Sequence, residues 1–482
     1  MNYLELLRLV FPEAHVTATA LVVLAFGLAK PNARALHSLV AAVGLLLAMI
    51  AVVRLPHNAS LPNGLLVITP LTSLFKIICL VLALFTVLLA GRDKAFARHG
   101  SEYLAMILLA TVGLLLLVGS EELLMIFIGL ELLGLSLYVL TAFNKDDRRS
   151  AEAGMKYFLF GSTASAFTLF GFSLIYGMAG TTSLSAIAQK LTAAPVPPLL
   201  AVGIVMSLIG FGFKVAAAPF HLWAPDAYQG GPISSAAFIA SGSKVASFVV
   251  LGKVLLVGLA PLEGSAGWRG FSAGWSPLIA TLAAFSILIG NFGALAQTNV
   301  RRLLAYSAVA HGGYTLLGLI AGGTDGFSAA LFYTTIYAVT LLGAFGVVAL
   351  VRQQTGGDEI ANLRGLSSRS PLLAACMAIF MLSLAGLPPL AGFFGKFFLF
   401  ASAFRADANL LWLVVLALFG SLVSLYYYLL VLKAVFSDES SATRSIESDW
   451  LQRGTITVLA LAVLVLGVIP QPLVSRILAA LS

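Results

Sequence analysis

About fourteen stretches of this chain stay apolar for close to twenty residues each, and few fold classes can absorb that. They lie near 10–29, 35–53, 68–90, 102–119, 122–143, 152–178, 200–228, 232–260, 276–298, 301–321, 326–351, 371–403, 408–436 and 454–472. A hydrocarbon core of roughly 30 Å is crossed by about 20 helical residues. Helices close their own backbone hydrogen bonds inside lipid, whereas barrel strands would alternate apolar and polar residues, which these stretches do not. Of the 482 residues 60% are hydrophobic and 10% charged, against about 25% charged in soluble domains. The fold class expected is therefore an all-α polytopic membrane protein with about 14 transmembrane helices. No soluble domain is left over, since the longest hydrophilic stretch, near 437–453, reads as a loop.

The net charge of +8 does not point to nucleic acid, because the basic residues sit in short loops between apolar runs. Loops after odd-numbered runs hold sixteen Lys and Arg, among them Arg92, Lys94, Arg98, Arg301, Arg302 and Arg444. Those after even-numbered runs, with the termini, hold only Arg8, Arg54, Lys190, Arg269, Arg405 and Arg476. This asymmetry places the first group in the cytoplasm and both termini of the multi-pass chain outside. Cys79 and Cys376 lie inside apolar runs and cannot supply the four ligands of an iron–sulfur cluster or structural zinc. The N-terminus, with Glu5 and Arg8 and no small-residue cleavage site, is expected to keep its first helix.

Two runs are overlong and interrupted. The seventh passes Lys214 and breaks at Pro219, just before His221; the twelfth breaks at Pro388-Pro389 and then reaches Lys396. Proline removes a helix hydrogen bond, and such a break survives in a membrane only where protein or a water-lined cavity satisfies the freed backbone. Two broken helices five apart in order, each with a lysine, mark a repeated transporter fold. Five is odd, so the units run in opposite orientations. The expected division is 1–100 for flanking helices 1–3, and 101–260 for a first inverted repeat of helices 4–8. A second repeat, helices 9–13, follows over 275–437, and 450–482 carries helix 14.

Charges inside the apolar runs carry the functional reading. A charge at a helix centre costs about 2.5–3.5 kcal/mol on insertion scales, and its usual meaning is an ion or proton path. Glu131 lies about nine residues into the fifth run, too deep for a carboxylate to reach headgroups; the alternative is a structural ion pair. Lys214 is as deep, and a desolvated lysine near another cation exchanges its proton near neutrality. Lys244 stands among small and hydroxylated neighbours in the eighth run, and Lys396 follows the double proline. His221 is a shuttle or a cap on freed carbonyls, and His311 a link between half-paths or a satisfied core histidine. Lys156 follows Glu152 by four residues, which equally describes a surface pair or a relay member. Glu121 and Glu122 read as solvated helix-start charges, and Lys76 and Lys253 as lysines that snorkel. No phosphate loop, metal-ligand cluster or nucleophile–base motif is present.

At these residues the chain resembles the antiporter-like membrane subunits of respiratory complex I, most closely the subunit N branch. The resemblance covers nearly the whole chain. Its most specific stretch is Phe220-His-Leu-Trp-Ala-Pro-Asp-Ala-Tyr-Gln-Gly-Gly-Pro232 followed by Lys244. Sister subunits L and M and the cation/proton antiporter subunits share the His-x-Trp-x-Pro-Asp core and diverge after it. Gly392-Phe-Phe-Gly-Lys396 also fits the N branch, since subunit M has glutamate at the lysine position, and Asn299–Ser307 matches the family's junction between helices 9 and 10. The resemblance implies a Glu131–Lys214 ion pair at the subunit edge, Lys244 as middle relay, Lys396 on the exit side, and His221 and His311 as polar linkers. It implies proton translocation driven by quinone reduction elsewhere, with no cofactor in this chain. Flavin, iron–sulfur clusters, NADH and quinone belong to partner subunits, and the neighbours are other antiporter-like and small membrane subunits and the lipid bilayer. A subunit of a multisubunit sodium/proton antiporter, driven by ion gradients, is the alternative.

Overall fold

The computed structural model describes residues 3–91, 94–191, 196–437, 446 and 449–481, with side chains left undescribed at 3–5 and 94–98. Arg92, Arg444, the side chains of Glu5, Lys94 and Arg98, and most of the loop near 437–453 lie outside the described residues. The protein is all-α apart from a two-residue hairpin pairing Ala59–Ser60 with Val67–Ile68. Among the described residues twelve helices are long and apolar enough to cross a membrane, from Phe11–Ala29 to Trp450–Val468. This is a multi-pass integral membrane protein.

Helix starts are set by side-chain caps. Thr69 accepts from the Thr72 amide ahead of Pro70–Ala90, Asp147 from Arg149 ahead of Arg148–Ala179, and Asn299 from Arg302 ahead of Val300–Ala321. Glycines in the left-handed region close three of them, Gly180 at φ 65°, Gly356 at φ 75° and Gly386 at φ 87°. Three helices, Ile233–Gly258, Val300–Ala321 and Gly323–Thr355, are almost wholly enclosed by the others. The peripheral helices turn large apolar side chains outward, such as Phe158, Phe170, Leu418 and Leu422, which suits a surface facing lipid. Helices approach closely where glycine permits: a Cβ on Gly171 would lie 2.6 Å from the Ser207 amide nitrogen and 2.7 Å from the Gly203 carbonyl.

Both overlong runs are broken where proline and glycine stand. The first consists of Pro198–Lys214, an unwound stretch, and Trp223–Gly230; the second of Pro371–Ala385 and Ala391–Ala406. The freed backbone finds protein partners. The Ala218 amide donates to Ser286 Oγ at 2.8 Å, the Trp223 indole to the Phe213 carbonyl at 3.1 Å, and the Gly392 amide to Ser383 Oγ at 3.1 Å.

Three expectations change. Lys76 and Lys253 do not snorkel: both are buried, Lys76 2.6 Å from Glu13 and Lys253 3.2 Å from Glu121. A carboxylate within reach holds each ammonium inside, so its stem has no cause to climb to the interface. Glu122 is a buried cap accepting from the Met125 amide at 2.7 Å, and Glu121 is an ion-pair partner, so neither is a free solvated charge. Beyond the run near 454–472 the chain turns at Pro470 into a further amphipathic helix, Gln471–Leu481.

Gly171→Leu tests the close packing. It should destabilise the protein by about 1–3 kcal/mol, as overpacking does, and lower the unfolding midpoint in detergent; an unchanged midpoint would contradict the contact.

Candidate functional site: a line of buried lysines

Lys214, Lys244 and Lys396 have side chains 6%, 2% and 5% exposed. Among the described residues none of them has a carboxylate within 4.0 Å; backbone carbonyls and hydroxyls take that place. The Lys214 ammonium donates to the Leu130 carbonyl at 3.1 Å and sits 5.8 Å from the centre of the Tyr138 ring. It ends Pro198–Lys214, where the negative pole of the helix favours a cation. Lys396 makes the corresponding contact across the other break, donating to Ala385, the last residue of Pro371–Ala385, at 3.0 Å and to Ser421 Oγ at 2.9 Å. Tyr314 lies 5.4 Å beneath it. Lys244 follows a π-helical turn, Ile239–Ser243, and reaches the Ala308 carbonyl at 2.6 Å. Gly312 lies between, since a Cβ there would stand 3.3 Å from the Val215 carbonyl and 3.8 Å from the Lys244 nitrogen. The backbone just after Lys214 and the tip of Lys244 thus flank one glycine.

Glu131 and Lys214 are neighbours without being a direct ion pair. Ser165 donates to the Glu131 carboxylate, which is half-buried and not enclosed as the lysines are. Glu131, Ser165, Gly210 and Lys214 line one cavity of about 10 Å³, close to the volume that takes a single water. Gly134, one turn after Glu131, makes the room: a Cβ there would stand 2.8 Å from the Lys214 nitrogen.

His311 is the hub between Lys244 and Lys396. Its Nε2 pairs with the Tyr428 hydroxyl at 3.0 Å and its Nδ1 with the Tyr333 hydroxyl at 2.6 Å. The Tyr428 hydroxyl also pairs with Ser307. Tyr337 packs on the imidazole at 4.8 Å and beneath Lys244 at 5.8 Å. Tyr314 packs on it at 5.5 Å and lies beneath Lys396. This tyrosine cage escaped the sequence reading. The signals were Tyr314 three residues after His311, Tyr333 and Tyr337 at helical spacing, and the pair Tyr427-Tyr428.

His221 and Lys156 stand apart from this line. The unwound stretch cancels the regular spacing that would have aligned His221 with Lys214, and its ring meets Tyr306 at 6.2 Å. Lys156, partly exposed, pairs with Glu152 at 2.6 Å and Asp226 at 2.9 Å, and Arg302 holds the same Asp226 at 2.6 Å. Beside this cluster, at the start of the helix that carries Lys244, a cavity of about 170 Å³ is lined by Asn144, Asp147, Gly231, Ser234 and Arg352.

Broken helices around uncompensated lysines define an antiporter-like membrane subunit. Residues 120–424 match the family described as NADH:quinone oxidoreductase/Mrp antiporter, TM, and the chain belongs to it. A relative from Acidobacterium capsulatum, named NADH-quinone oxidoreductase subunit N 2, is 47% identical, the match covering 98% of each chain. A chain of respiratory complex I from Thermus thermophilus superposes with a TM-score of 0.80 at 33% identity, covering 96% of this chain and 98% of that one. A chain of the Mrp complex from a Dietzia species shares the fold at TM-score 0.85 and 21% identity, covering 98% and 97%.

Replacing Tyr333 and Tyr428 together by Phe strips both nitrogens of a buried imidazole. The double variant should lose about 1–3 kcal/mol per unsatisfied group, seen as a lower unfolding midpoint than either single variant. Additive, negligible shifts would contradict the cage.

Proposed function

We propose that this chain is the N-type proton-translocating subunit of an NADH:quinone oxidoreductase complex, moving protons along Lys214, Lys244 and Lys396 with His311 between the last two. One observation carries the reading: three buried lysines are each held by carbonyls or hydroxyls and, among the described residues, none by a carboxylate. A buried ammonium without a counter-ion is costly, and proton exchange is the cheap relief. Lys76 and Lys253, buried beside carboxylates, show that the same bundle supplies counter-ions elsewhere.

Glu131 is the control element. Held by Ser165, it faces the small cavity that it shares with Lys214. Its approach to Lys214 stabilises the ammonium; its withdrawal frees the proton toward Lys244. Quinone reduction in partner subunits drives the exchange, and flavin, iron–sulfur clusters, NADH and quinone stay in those partners. The cavity lined by Asn144, Ser234 and Arg352 is the aqueous inlet, and the Lys396 side is the outlet. Helices 4–8 and 9–13 form two inverted repeats, a reading supported by the like contacts of Lys214 and Lys396 with the ends of first half-helices. The chain lies in a bacterial inner membrane with both termini outside, as its basic loops suggest. His221 and Lys156 act at the margins: His221 beside the unwound stretch, and Lys156 in the ion-pair cluster with Asp226.

Two outcomes test this. The tagged chain, purified in mild detergent from its native membrane, should bring flavin and iron–sulfur subunits and NADH:quinone activity. Companion antiporter chains without redox subunits would instead mean a sodium/proton antiporter. Lys214→Ala and Glu131→Ala should each abolish proton pumping by this subunit and lower the proton-to-electron ratio in an assembled complex. An unchanged ratio would remove the relay.

A further inference from the structure

Each lysine of the line has a tyrosine ring close to its ammonium: Tyr138 for Lys214, Tyr337 for Lys244 and Tyr314 for Lys396. Among the described residues the buried hydroxyls of Tyr138 and Tyr337 have no hydrogen-bond partner. The Tyr314 hydroxyl has one, accepting from Asn291 Nδ2 at 2.9 Å. Asn291 stands on Trp275–Leu295 and is 1% exposed. Its Nδ2 also donates to the Ile287 carbonyl at 2.7 Å, and its Oδ1 accepts from the Tyr427 hydroxyl at 3.1 Å. A carbonyl can only accept, so the amide nitrogen must face Ile287, and the partners fix which way the amide points. Both amide hydrogens are then committed, the second to Tyr314. The phenol oxygen accepts there, and its own proton points away from Asn291.

Gly420 makes the room for this pair. A Cβ there would stand 2.7 Å from Asn291 Nδ2 and 2.9 Å from the Tyr314 hydroxyl. The next residue, Ser421, takes the Lys396 ammonium on its Oγ at 2.9 Å. Consecutive residues of Leu411–Val435 thus seat the hydroxyl end of the Tyr314 ring and the cation that lies 5.4 Å from the ring centre. The same ring meets the His311 imidazole at 5.5 Å and 74°.

We propose that Asn291 is a positioning residue for the Lys396 end of the line: it pins the Tyr314 hydroxyl at Gly420 and so keeps the ring under the ammonium and against His311. A ring face attracts a desolvated cation only while the cation lies over it. Without the amide donor the phenol oxygen is a buried group with no partner, and the ring is free to tilt in search of one. The rings beside Lys214 and Lys244 carry no such pin. Asn291 acts on Lys396 through Tyr314, and the consequence for pumping rests on the reading of Lys396 as a relay residue.

The test measures the proton-pumping rate per assembled complex in vesicles. Asn291→Leu keeps the branched shape and removes the donor; it should slow pumping on the order of tenfold, the size of a desolvated contact between a cation and a ring. Tyr314→Phe removes the pinned hydroxyl and should slow it as much. The double variant should be no slower than either, because both act through one contact. Gly420→Ala leaves every polar group in place and crowds the pair, so it should slow pumping too. Parent-rate pumping in Asn291→Leu, or a double variant slowed by the product of the two single effects, would overturn the proposal. So would failure of both Asn291→Leu and Gly420→Ala to assemble, which would make the amide a structural link only. A spectrum separates this proposal from the relay it rests on. With nitrogen-15 in the lysines, the redox-induced infrared band that Lys396→Met removes should be displaced in Asn291→Leu. A band present but undisplaced means that the positioning role falls and the relay stands. If Lys396→Met removes no band, the relay falls at Lys396 and the positioning role with it.

Discussion

The structure turns on how a buried lysine ammonium is held with, among the described residues, no carboxylate at ion-pair distance. Carbonyl oxygens do the holding: Leu130 for Lys214, Ala308 for Lys244, Ala385 for Lys396. Carbonyl dipoles offset part of the desolvation cost without neutralising the charge. Lys76 differs, since Glu13 stands at ion-pair distance from its ammonium.

Regular helices offer few spare carbonyls, so the bundle makes them. Breaking the runs at Pro219 and at Pro388-Pro389 ends a helix inside the protein and leaves its last carbonyls looking for donors. Lys214 sits at one such end and Lys396 reaches the other. Lys244 obtains its carbonyl differently, beside a π-helical turn and over Gly312. Tyrosine rings then fill the space near the ammonium groups, giving a polarisable face and a hydroxyl where an apolar side chain would give only bulk. Tyr337 and Tyr314 each touch both His311 and a lysine, which is how the middle and the last lysine come to share one hub.

Depth was legible in the sequence, and partnership was not. Unbroken apolar runs gave the helices, and the position of Lys214, Lys244 and Lys396 within them gave burial. Proline and glycine gave both breaks. The same reasoning sent Lys76 and Lys253 to the interface, because a lysine stem of four carbons does reach there when nothing holds it. What holds them, Glu13 and Glu121, comes from other helices, and no local spacing reports a contact across the bundle. Glu131 was read as buried like the lysines; it is half-buried because its helix also carries the exposed Leu124, Ile128 and Leu135, a face that depth along one helix does not reveal. A regular helix would set His221, seven residues on, near the face of Lys214, and the break removes that period. Asp226 and Arg302 went unnoticed as partners of Lys156 for the same reason as Glu13: their meeting is tertiary.

The central claim is that buried lysines change protonation during turnover. Redox-induced infrared difference spectra of the complex, with this chain's lysines labelled with nitrogen-15, address it directly. The account predicts label-sensitive amine bands that appear on quinone reduction and lose a component in Lys244→Met. Difference spectra indifferent to the label would mean that the lysines keep their protons throughout, and that the line is a structural feature and not a path.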